Sequence, residues 1–229
     1  MILGIDTSTG TAVAVVEPDG VVVAEASSEN PLGHAEVIGD LLQQVLAHAR
    51  PDAPLGAPGA GAPATSATPL TAVAAGMGPG PFTGLRVGIA AARAFALGRG
   101  IRLVPVVSHD AVALGTLLQA AIVDADPGRF AVVTDARRRE VAYTVYEGLD
   151  DDGLPIRVTE PALVRRDEAD ARLAELDAVR HDAASVPAGM VALVAARALA
   201  AGREVGPADA LYLRSPDVTV SAGPKKVGV

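Results

Sequence analysis

The sequence predicts an α/β protein in which a mixed sheet carries helices against it and a second, smaller β/α lobe follows. Three observations lead there. Residues 2–26 hold three short apolar runs rich in β-branched side chains, the pattern of strands. Residues 34–48 place large apolar side chains in pairs every four positions, the pattern of a helix with one buried stripe. From residue 73 onward, strand-like and helix-like stretches alternate.

The first three strands are expected at 2–5, 11–16 and 21–26. The turns between them are Asp6-Thr7-Ser8-Thr9-Gly10 and Glu17-Pro18-Asp19-Gly20. Asp-Gly supplies the positive φ of a tight hairpin, so an antiparallel meander follows. In the first helix Val37, Ile38, Leu41, Leu42, Val45 and Leu46 make the stripe. Residues 50–70 contain five Pro, three Gly and six Ala with almost nothing large and apolar, a composition that cannot offset the entropy of ordering and predicts a flexible surface insertion.

A short buried strand is expected at 73–76, a Gly/Pro turn at 77–81 and a second helix at 82–97. Leu85, Ile89, Ala92 and Ala96 form one stripe of that helix, and Val87, Ala91, Ala94 and Leu97 cover much of the rest. Only Arg86 and Arg93 mark a narrow polar line, so the helix should be covered on two sides. A strand at 101–107 and a helix from Ser108, its expected N-cap, to residue 121 complete the unit. The second lobe is expected to hold a hairpin of strands 130–134 and 141–147, a turn at Asp150-Asp151-Asp152-Gly153, and helices at 168–176 and 190–201. The lobes are placed at 1–106 and 107–229.

Composition excludes several function classes. The chain has 229 residues, half of them hydrophobic, with 19 Lys+Arg against 27 Asp+Glu, a net charge of −8. That length can bury a core without metal or disulfide staples. With no cysteine there is no disulfide, thiolate nucleophile or Cys-ligated zinc. The acidic balance argues against a protein that grips nucleic acid by itself, because phosphate neutralisation needs a clustered Lys/Arg surface. Three Phe, three Tyr and no Trp offer few platforms for stacking single-stranded bases. No run of 18 apolar residues is present, and the N-terminus lacks a basic flank and reaches Asp6 early; a cytoplasmic location is the expectation.

Candidate chemistry is sparse. Gly78-Pro79-Gly80-Pro81-Phe82-Thr83-Gly84 joins a strand to a helix as a phosphate loop would. Leu85 and Arg86 stand where a Walker loop needs Lys and Ser/Thr, and the GxGxxG spacing also fails. A rigid turn with glycines for close packing is therefore favoured. Asp6, Thr7, Ser8 and Thr9 are the candidates for a vestigial nucleotide loop, with Asp6 toward hydrated magnesium; a hydrogen-bonded turn is the alternative. His34 has Ile38 at i+4, which breaks HxxxH, and no metal centre or catalytic triad is expected. Arg137-Arg138-Arg139, flanked by Asp135 and Glu140, reads as a solvated face.

Five segments together resemble one family. GIDTST at 4–9, HAE at 34–36, GMGPGPFTGLRVG at 76–88, DARRREVAY at 135–143 and LYLRSPD at 211–217 lie in the order of the bacterial TsaB (YeaZ) proteins, which serve the synthesis of N6-threonylcarbamoyladenosine beside the tRNA anticodon. Departures are Pro81 for the usual Ser, Ala210 for the usual Pro, and the 50–70 insertion. The resemblance implies the actin-like, sugar kinase/Hsp70-type (ribonuclease H-like) fold with a reduced second lobe. It implies a scaffold subunit without catalysis or cofactor of its own. Such a subunit binds and activates TsaD, helps dock TsaE, forms a homodimer when alone, and meets tRNA only through the complex. The expected partner interface is Val37, Ile38, Leu41, Leu42, Val45, Leu85, Arg86, Ile89, Arg93 and Leu97. The competing reading is an active Mg-ATP-dependent kinase or ATPase of the same fold.

Overall fold

The computed structural model describes residues 1–30, 33–49 and 69–214, so the 50–70 insertion lies outside the described residues except for its last two positions. Strands β1 (Ile2–Asp6), β2 (Thr11–Val16) and β3 (Val22–Ser28) precede helix α1 (His34–Ala49). Then come β4 (Ala72–Gly76), α2 (Phe82–Arg99), β5 (Arg102–Val106) and α3 (Ser108–Ile122). The second unit holds β6 (Phe130–Asp135), β7 (Glu140–Leu149), β8 (Pro155–Arg157), β9 (Ala162–Arg165), α4 (Ala169–Glu175), β10 (Val179–Asp182) and α5 (Ala188–Ala200).

The first sheet runs β3-β2-β1-β4-β5. Its meander is antiparallel, with Ile2 opposite Val16 and Asp6 opposite Ala12, whereas β4 and β5 add in parallel after helical crossovers. Gly20 has φ 97° at the expected tight turn. Alternation along the strands divides the core between two faces. Leu3, Ile5, Val13, Val15, Val73 and Ala75 pack with α1 and α2, while Ile2, Val16, Ala72, Ala74, Val104 and Val106 pack with α3 and α5. Because both faces are covered, β1 and β4 are buried along their whole length.

Helix α5 follows the second sheet in sequence but lies against β1 and β2 of the first. Gly4 allows this, since a Cβ there would stand 2.2 Å from the Ala188 carbonyl oxygen. Val191, Ala192, Leu193, Val194 and Ala195 are all buried, as expected of a helix enclosed on most sides.

The second sheet is ordered β10-β6-β7-β8, with β9 pairing another part of β7. Ala131, Val133, Val141 and Tyr143 face α4; Phe130, Val132 and Tyr146 join the core of the first sheet around α3 and α5. Strands β8, β9 and β10 were not anticipated: each has three or four residues, too few to display a period. One expectation is corrected. Ser108 does not cap α3; Val107 holds the N-cap position without a side-chain bond, and the Ser108 hydroxyl is committed elsewhere.

Candidate functional site

That hydroxyl donates to Asp6 Oδ2 at 2.6 Å and accepts from Gly78 N at 3.0 Å. The other carboxylate oxygen of Asp6 accepts from the Ser8 amide at 2.8 Å and the Ser8 hydroxyl at 2.5 Å. Thr7 donates to the Gly84 carbonyl at 2.8 Å, and Thr11 bonds His34 Nδ1 at 2.9 Å. Asp6, Thr7 and Ser8 are buried. Burial pushes the Asp6 carboxyl above its ordinary range, against the pull of the Ser108 and Ser8 bonds.

The glycines of the 76–88 motif fit around these side chains. A Cβ on Gly76 would stand 1.8 Å from Asp6 Oδ2, one on Gly80 2.7 Å from Ser8 Cα, one on Gly84 2.8 Å from the Thr7 carbonyl and from His34 Nε2, and one on Gly88 2.1 Å from Thr7 Oγ1. The two motifs, 70 positions apart, are thus one packed unit. Glycine is needed here for close approach.

Beside this unit lies a cleft of about 370 Å³ between the sheets. One wall is His34, the 79–81 turn and the first turn of α2; the other is 134–137 with Ala142 and Leu163; Tyr212, Leu213 and Arg214 close one side. None of residues 6–9 lines it. Beneath the second wall His109 is fully buried, with Nδ1 2.8 Å from Thr144 Oγ1 and Nε2 2.9 Å from Thr134 Oγ1. Burial lowers its pKa to about 3, so the ring is neutral. Arg137, Arg138 and Arg139 at the tip of that wall are exposed and have φ of 63°, 50° and 64°.

A second polar cluster was not foreseen. Arg157 grips Asp110 through Nε at 2.7 Å and Nη2 at 2.5 Å, and Tyr146 donates to the same carboxylate at 2.7 Å. Burial first, and then the neighbouring carboxylate, pushes the Tyr146 phenol well above its ordinary value. These groups satisfy one another. Among the described residues no group of three or more His, Asp or Glu could hold a metal ion.

The expected partner residues separate into three sets. Ile38, Val45, Leu85 and Ile89 are buried in the chain's own core. Val37, Leu41 and Leu42 are half-buried. Arg86, Arg93 and Leu97 are exposed, Leu97 by 85%. The outer side of α2 therefore presents Ala90, Ala94 and Leu97, and α1 presents Ala35, Gly39, Gln43 and Ala47.

A five-stranded sheet whose antiparallel meander is extended by two parallel strands, joined by α3 and α5 to a smaller second sheet, defines the actin-like, ribonuclease H-like class. Residues 14–159 match the family described as "TsaD: tRNA N6-adenosine threonylcarbamoyltransferase", and the chain belongs to that family. An uncharacterised protein of Mycobacterium tuberculosis (strain H37Rv) is 35% identical over 225 residues, 94% of this chain and 92% of the relative. The tRNA threonylcarbamoyladenosine biosynthesis protein TsaB of Escherichia coli is 31% identical over 153 residues, 67% of this chain and 57% of that protein. YeaZ from Pseudomonas aeruginosa has the same fold, with a TM-score of 0.65 at 22% identity over 90% of this chain and 96% of its own. The resemblance to TsaB (YeaZ) read from the motifs is borne out.

Proposed function

We propose that this chain serves tRNA N6-threonylcarbamoyladenosine synthesis as a non-catalytic scaffold subunit, which binds and activates TsaD and helps dock TsaE. The Escherichia coli relative bears the name of a protein of that synthesis. The observation that carries the non-catalytic reading is the Asp6 knot. Both carboxylate oxygens accept bonds from Ser8 and Ser108 inside the protein, so neither is presented to the water shell of a magnesium nucleotide. Partner binding falls to the outer faces of α1 and α2, where small residues let another helix approach and Leu97 supplies an unburied apolar side chain.

Light scattering on this chain, on TsaD of the same organism and on their equimolar mixture, followed by threonylcarbamoyl transfer to tRNA from each sample, tests the reading. A mixed species with activity far above that of either component is expected. Leu97→Asp should weaken the mixed species about tenfold, as loss of an interface anchor does, with the chain's own thermal midpoint unchanged. Transfer or Mg-ATP turnover by this chain alone, or no mixed species, overturns the proposal.

A further inference from the structure

After α5 the chain runs back over both sheets as a strap, residues 203–214, and arginines on both sides hold it. Arg203 pairs with Asp150 at 2.5 Å and Asp152 at 2.8 Å in the turn after β7. Arg157 donates to the Val205 carbonyl at 2.6 Å. Gly206 then lies flat on the end of β5, where a Cβ would stand 2.5 Å from the Pro105 oxygen. On the first lobe Arg93 of α2 donates to the Ala208 carbonyl at 2.8 Å, and Leu211 N donates to Met77 O at 2.8 Å just past β4. The Tyr212 ring sits 4.7 Å from that of Phe82. Its hydroxyl accepts from Arg86 at 3.2 Å, and the Arg86 guanidinium covers Phe82 at 3.7 Å. Finally Arg214 pairs with Glu140 at the start of β7.

The strap thus begins and ends on the second sheet and crosses the first between. Its last residues form one side of the interlobe cleft. Elsewhere the two sheets share a core through α3 and α5, a permanent apolar joint. The strap's own attachments differ in kind: Val205 and Ala210 touch the cores, Gly206 packs on the backbone of β5 and Leu211 N bonds the buried Met77, while the others are ion pairs, polar bonds and ring contacts of exposed or part-buried side chains. Contacts of that sort contribute little each, and segments held by them open at a free energy well below that of global unfolding.

We propose that residues 203–214 are a releasable latch. Closed, the latch ties the β6–β7 hairpin to α2 and closes one side of the cleft; open, it frees that side and releases Arg86 and Arg93 in the same event, while α3 and α5 keep the lobes joined. This inference stands on the strap's contacts and does not depend on the partner reading.

The natural chain has no cysteine, so Val21→Cys just before β3 and Ala174→Cys on α4, both exposed and both off the α1 and α2 faces, give clean sites for a spin-label pair spanning the lobes. In that background Tyr212→Ala/Arg214→Ala is expected to lengthen and broaden the interlabel distance distribution. Amide exchange in residues 86–90 and 140–143 should quicken about tenfold, an opening easier by about 1.4 kcal/mol. Arg214→Ala alone removes only a surface pair and should give about a threefold change at 140–143; it decides the matter if the double variant does not fold. Tyr212→Phe keeps the ring and should restore most of the protection at 86–90. Faster exchange confined to the strap, with the distance distribution of the parent in both latch variants, overturns the proposal and leaves a passive cover.

Discussion

The first hairpin of each lobe carries a polar turn, and the two turns are stabilised in opposite ways. The β1–β2 turn points its polar groups inward, where Asp6, Ser8 and Ser108 satisfy one another, Thr7 donates to the Gly84 carbonyl, and glycines 76, 80, 84 and 88 make room for them. The β6–β7 turn points outward. Three successive non-glycine residues adopt left-handed conformations there, each costing on the order of 1 kcal/mol. Backbone bonds from Ala136 N to Glu140 O, Glu140 N to Arg137 O and Arg166 N to Arg139 O offset that strain, and His109 braces the strands from below. A turn closed by its own side chains is a structural knot, whereas the second turn holds its backbone strain and its charges at the surface.

The sharpest way to break this contrast is Asp6→Ala. It leaves the Ser8 amide, the Ser8 hydroxyl and the Ser108 hydroxyl without their acceptor in a buried site, at a cost of about 3 kcal/mol in urea unfolding. Asp6→Asn, which keeps one acceptor and can donate to Ser108 instead, should cost about 1 kcal/mol. Unchanged stability in Asp6→Ala would mean that the first turn is as open as the second.

His109 supports the second turn and gives it a pH dependence. Its folded pKa of about 3 lies below the ordinary 6.5, so between those values the unfolded chain binds a proton that the native chain refuses. The stabilisation is complete above pH 6.5 and is lost as pH falls toward 3, amounting to about 2 kcal/mol by pH 5. Asp6, raised by burial, acts with the opposite sign: its contribution is present in acid and lost as pH rises through its folded pKa. Subtracting urea titrations of His109→Gln from those of the parent at pH 7 and pH 5 isolates the histidine. A difference that does not change with pH would show that the ring is protonated in place.

Replacing Arg139 by Gly should stabilise the chain by up to about 1 kcal/mol, because glycine adopts φ of 64° without strain. Against the first turn the sign reverses: Gly80→Ala, in the turn before α2, has no room beside Ser8 and destabilises. Thermal midpoints of the two variants, read together, test whether strain resides in one turn only.

Much of the frame was legible in the residues. The meander, β4 and β5 declare themselves as apolar runs bounded by turn residues, and α1 and α2 by apolar stripes that recur near every four positions. What the period does not reveal is the partner of each stripe. Leu85 and Ile89 read the same whether they cover the chain's own β4 or another protein's helix, and the structure commits them to the chain's own core. Ser108 has the chemistry of an N-cap, but the buried Asp6 carboxylate, 102 positions earlier, claims its hydroxyl. Helix α5 was visible as a helix, though its position on the first sheet depends on Gly4, a residue that carries no hydrophobic signal. The knot itself was half legible: both motifs stood out, but their contact is tertiary.

The smallest expected effect concerns the ion pair at the rim of the second turn. Arg166 pairs with Asp135 across the surface, with side chains 51% and 63% exposed, so solvent screens the charges and the pair is worth about 0.5 kcal/mol or less. Asp135 also accepts from Arg137 N at 3.3 Å, a bond that Asn would keep. Asp135→Asn should therefore leave the urea midpoint almost where it was, and 1 M salt should erase the remaining difference. A loss of 2 kcal/mol or more would place the charge of Asp135 among the supports of the left-handed backbone, making the second turn a knot of the same kind as the first.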